Sequence, residues 1–76
     1  MNRIRRKALR DIIDQLAEIK SSLEEIQSEE EEYRDNMPEN LQNSERYETA
    51  DYAVSCIEDA VSCLEDAVSN IESATE

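Results

Sequence analysis

Residues 52–72 are one seven-residue unit written three times: YAVSCIE at Tyr52–Glu58, DAVSCLE at Asp59–Glu65 and DAVSNIE at Asp66–Glu72. Seven residues make about two turns of α-helix and are too few for a solenoid unit, so this repeat predicts a coiled-coil helix. Its seam is Val54, Ile57, Val61, Leu64, Val68 and Ile71, spaced alternately by three and four. With the valines at heptad position a and Ile57, Leu64 and Ile71 at d, Ala53, Ala60, Ala67 and Ala74 fall at g, and Cys56, Cys63 and Asn70 at c. These four positions are contiguous around a helix, which widens the apolar arc to about 150°.

The first half carries a matching stripe. Leu9, Ile12, Leu16, Ile19, Leu23, Ile26, Glu30 and Tyr33 follow the same three–four alternation, with leucines at a and isoleucines at d. No Gly or Pro interrupts residues 3–35. One helix of roughly 45–50 Å is expected there. The only proline, Pro38, disfavours helix at Met37 and suits a first-turn position, so a short helical turn over Pro38–Leu41 fits the connection. Asn43 or Ser44 can cap the second helix, with Glu45 and Glu48 favouring its dipole. The expected organisation is a single helical-hairpin domain over 1–76, with helices at about 3–35 and 45–74 and a loop over 36–44.

Reversing a three–four stripe gives another three–four stripe, so the two seams match antiparallel. If Tyr33 meets Tyr47, then Ile26 meets Val54, Leu23 Ile57, Ile19 Val61, Leu16 Leu64, Ile12 Val68 and Leu9 Ile71, with the fold-back at Asn40. The fold class is therefore all-α, an antiparallel two-helix hairpin. Each helix of a lone hairpin buries one seam, which leaves the shoulder of Ala53, Cys56, Ala60, Cys63, Ala67 and Asn70 in water. A homodimeric four-helix bundle covers it, with a host protein helix as the other candidate occupant. The three tyrosines, Tyr33, Tyr47 and Tyr52, are expected to plug the loop end, with a binding surface as the alternative place for Tyr52, and Glu30 to lie opposite Ala50.

Charge bounds the function. Twenty acids, eight bases and no histidine give a formal net charge of −12. Five of the bases (Arg3, Arg5, Arg6, Lys7 and Arg10) stand in the first ten residues, and the hairpin should bring them beside Glu72 and Glu76. Eight serines lack a histidine to activate them, and a chain without Gly forms no phosphate-binding loop. No enzyme, cofactor or metal site is expected: Cys56 and Cys63 lie about 10 Å apart along one helix face, too far for a bridge within that helix. Glu29–Glu32 form a solvated run whose carboxylates diverge. Nucleic-acid binding by five bases against twenty acids is not expected, and no apolar run reaches the ~18 residues of a membrane span. A cytoplasmic chain follows.

Two functions remain. The first is a non-enzymatic helical interaction or oligomerisation module. The alternative is an acidic inhibitor presenting carboxylates in place of nucleic-acid phosphates to a basic groove.

The segment NMPENLQ at Asn36–Gln42, followed by SERYE at Ser44–Glu48 and a heptad pattern with alanines, resembles a group of small acidic proteins of Gram-positive bacteria and their phages or mobile elements. The resemblance covers roughly residues 29–74. It implies a helical hairpin and carries no assigned activity and no functional residue. Asn43 stands where that group is expected to have Gly, which bears on the backbone conformation of the loop.

Overall fold

A computed structural model describes all 76 residues. Two helices, α1 (Arg3–Asp35) and α2 (Glu45–Ala74), are joined by one turn of 3-10 helix at Glu39–Leu41. They fold back on each other as a rod with Cα extents of 59 × 15 × 13 Å and no strand.

The ends of both helices are set by side chains. Asn2 caps α1, its Oδ1 accepting from the Arg5 N–H at 2.8 Å. Ser44 caps α2: its Oγ accepts from the Tyr47 N–H at 3.3 Å and donates to the Leu41 carbonyl, tying cap to turn. Glu45 and Glu48 stand in the first turn of α2, where carboxylates favour the exposed N–H groups. After Asp35 the Asn36 N–H still bonds back to the Glu32 carbonyl, and Pro38 then holds an extended conformation that ends the helix. No residue has positive φ. The loop therefore makes no left-handed turn, and Asn43 serves as well as Gly would.

The register between the helices is constant. Lys20 pairs with Glu65 at 3.5 Å and Arg34 with Asp51 at 2.9 Å. Fourteen residues forward along α1 thus correspond to fourteen back along α2, as an antiparallel heptad pairing requires.

On α2 the interior row is the one the repeat predicts. Val54 and Val61 are buried, as is Ala50 one heptad before Ile57, and Ile57, Leu64, Val68 and Ile71 are half-buried. On α1 only part of the expected seam faces inward. Leu9, Leu16, Leu23 and Glu30 are half-buried, but Ile12, Ile19 and Ile26 remain 41, 50 and 51% exposed. The second interior row is Arg6, Ile13, Lys20, Gln27 and Arg34, at heptad position e, while Met37, seven residues after Glu30, continues the leucine row beyond the helix end. The pairings of Ile19 with Val61 and of Ile26 with Val54 are thereby corrected: α1 is rotated by part of a turn, so that position e replaces position d.

Two features account for the rotation. Lys20 and Arg34 reach acids at position e of α2, Glu65 and Asp51, which draws that row of α1 inward. Their long stems, with that of Gln27, cover the valine seam while the polar ends stay wet.

Candidate interaction surface

The rotation gives the hairpin two unlike flanks. One carries the helix-to-helix ion pairs, over a shallow groove lined by Ala17, Lys20, Glu65, Val68, Ser69 and Glu72. The Arg34 guanidinium on this side donates Nε to Asp35 and Nη1 to Asp51, both at 2.9 Å. It titrates above its usual range chiefly because of Asp35, with Asp51 adding and desolvation opposing.

The other flank is apolar. Near the loop, where this flank turns polar, a second groove is lined by Glu30, Tyr33, Glu45, Arg46, Thr49 and Ala50. Tyr33 belongs to the exposed row of Ile12, Ile19 and Ile26, while Arg46 and Thr49 stand one heptad before Ala53 and Cys56. The exposed isoleucine row of α1 and the Ala/Cys shoulder of α2 therefore line the same side of the rod. On that shoulder Ala53 and Ala67 are half-buried, whereas Cys56, Ala60, Cys63 and Asn70 are exposed, both cysteines as free thiols. The sequence alone did not reveal that the isoleucines join it, because their three–four spacing assigns them to the hairpin seam.

The tyrosine plug is also corrected. Tyr47 is half-buried, but Tyr33 and Tyr52 are 48 and 72% exposed, and Met37, at 8%, closes the loop end instead. The signal is its spacing, seven residues after Glu30, at a position that Pro38 assigns to the loop. Glu30 lies beside Ala50 as expected, half-buried along a residue only 2% exposed. Tyr52 points to the outer edge of α2, one turn before Cys56. Its phenol titrates above the ordinary range, mainly through hydrogen bonding with the Cys56 thiol and then through that group's charge.

The basic start of α1 is little paired. Its only ion pair is Lys7–Asp11 at 3.5 Å within α1, and none reaches Glu72 or Glu76. Arg6, in the interior row, has its Nε buried without a partner.

No group of three or more His, Cys, Asp or Glu side chains gathers as a metal site, and neither helix is long and apolar enough to cross a membrane. Compared with protein-family models, with curated proteins and with solved structures, the chain matches none.

Proposed function

We propose that this chain is a non-enzymatic helical interaction module whose working form is a homodimeric four-helix bundle. The observation that carries the reading is the apolar flank: Ile12, Ile19 and Ile26 exposed along the same side as Ala53, Cys56, Ala60, Cys63 and Ala67. A single-file exposed hydrophobe is ordinary, but a continuous two-helix face marks an interaction surface.

Area supports the same reading. A compact globule of 8.8 kDa exposes about 4,800 Å² by the usual size scaling. This hairpin exposes 5855 Å², roughly 1,000 Å² more, and a standard interface buries about 800 Å² on each partner. Only four of 76 residues are buried, too few for one chain of this size to form a core of its own. Small residues on the α2 shoulder allow a neighbouring helix to approach closely, and the isoleucines supply the larger apolar contribution.

Sedimentation equilibrium over roughly 5–500 μM tests the reading. The wild-type chain should sediment as a dimer at the upper end, and the double variant Ile19→Ser/Ile26→Ser as a monomer across the range. A wild-type chain that stays monomeric throughout would sink it.

A further inference from the structure

We propose that the two copies stack with their turns at opposite ends of the bundle, so that α1 lies on α1 of the second copy and α2 on α2. This rests on the dimer reading above and specifies its geometry.

Two symmetric ways exist to lay one apolar flank on another. With the two-fold axis along the rod, both turns share one end and α1 covers α2 of the second copy. With the axis across the rod, the turns lie at opposite ends and like helices meet. In both arrangements every neighbouring pair of helices is antiparallel, so helix dipoles do not choose between them.

The charge distribution does choose. The open end, residues 1–10 with residues 66–76 of α2, holds five bases and three acids, while residues 29–48, around the turn, hold eight acids and two bases. These blocks occupy opposite ends of a 59 Å rod, far beyond the screening length of about 8–10 Å, so they do not compensate each other within one chain. Nor are the bases otherwise used: Lys7 alone among the five makes an ion pair, with Asp11 of its own helix, at a site where both side chains are largely exposed. Turns at the same end would set acidic block on acidic block and basic on basic. Turns at opposite ends set each basic block beside the acidic turn region of the other copy, twice per dimer. Like-charge juxtaposition is costly and opposite charge fixes orientation, so the second arrangement is favoured.

Packing then has a definite form. The isoleucine rows meet each other, holding the two α1 helices apart by large side chains, and the Ala/Cys shoulders meet each other, bringing the two α2 helices close. Tyr33 of one copy comes level with the first turns of α1 in the other, near Ile12.

The test uses wild-type protein, a 1:1 mixture of isotope-labelled and unlabelled chains, with isotope-filtered NOE spectra recorded on a sample whose mass is measured by sedimentation. Expected are intermolecular cross-peaks linking the methyls of Ile12, Ile19 and Ile26 to isoleucine methyls or the Tyr33 ring of the second copy. Alanine methyls of α2 should meet only those of the other α2. A dimer whose isoleucine methyls instead reach Ala60 or Ala67 of the second copy overturns the orientation and leaves the bundle standing. A dimer with no intermolecular cross-peak from the isoleucine row overturns both, as does a monomeric sample.

Discussion

The two flanks of the hairpin are built from one rotation of α1 and are opposite in character. On one, Lys20 and Arg34 fold their stems over the seam and reach Glu65 and Asp51. On the other, the isoleucines that would have filled that place stand in water beside a row of small residues. Closing one flank with charged side chains is thus what frees an apolar row for the other. Helix α2 shows no such choice: its seam is flanked by Ser and acids on one side and by Ala on the other, and only one rotation buries its valines and leucine.

The largest expected effect comes from a substitution beneath both flanks. Val61→Asp places an unpaired carboxylate at a buried seam position and should cost about 3–5 kcal/mol, enough to abolish the helical circular dichroism at 25 °C. Retained helicity would show that the seam is wetter than its burial indicates. The next variants separate the flanks directly. Ile19→Gln should lower the thermal midpoint and weaken association, by about 1.5–2 kcal/mol per copy. Ala17→Gln, on the charged flank, should change stability by no more than about 0.5 kcal/mol. Equal effects from the two would erase the distinction between the flanks.

A smaller effect sharpens the account of the rotation. Lys20→Met keeps the covering stem and loses the charge, so chemical denaturation should report a loss of about 0.5 kcal/mol or less. Lys20→Ala removes the stem as well and should cost more; equal losses from the two variants would mean that the ion pair, and not the stem, holds α1 in place. The smallest effect lies at the outer edge of α2. Because the folded chain holds the Tyr52 proton more tightly than an unfolded chain does, this group's contribution to stability is present below the ordinary phenol range. It is lost as pH rises from that range through the raised value of the folded chain. In an ultraviolet titration Tyr52 should ionise above the ordinary phenol range, and Cys56→Ala should lower its midpoint.

Much of the fold is legible in the order of residues, and the reasons are local. The absence of Gly and Pro over residues 3–35, the Pro38 stop and the Ser44 cap are short-range signals, and the helices occupy Arg3–Asp35 and Glu45–Ala74. The α2 seam is legible because its repeat offers one apolar stripe. The rotation of α1 is not, because Leu9, Leu16 and Leu23 have hydrophobic or long-stemmed neighbours on both sides. Ile12, Ile19 and Ile26 flank them at d, and Ile13, Lys20 and Gln27 at e. Hydropathy alone selects the isoleucines; the acids of α2, distant in sequence, select the other row. Met37 was hidden for a local reason: it continues position a seven residues after Glu30, but past the end of α1 and next to Pro38. The isoleucine half of the candidate surface was not readable, because its exposure depends on the rotation of α1.

The unvarying register between α1 and α2 makes this rod a ruler graduated in heptads. Removing Leu16–Ser22 together with Asp59–Glu65 would take out one graduation, about 10 Å, while both caps, the turn and every remaining pairing kept their places. Length is then a quantity the chain can gain or lose in steps without redesigning either end, and whatever spans its two tips would be spaced accordingly.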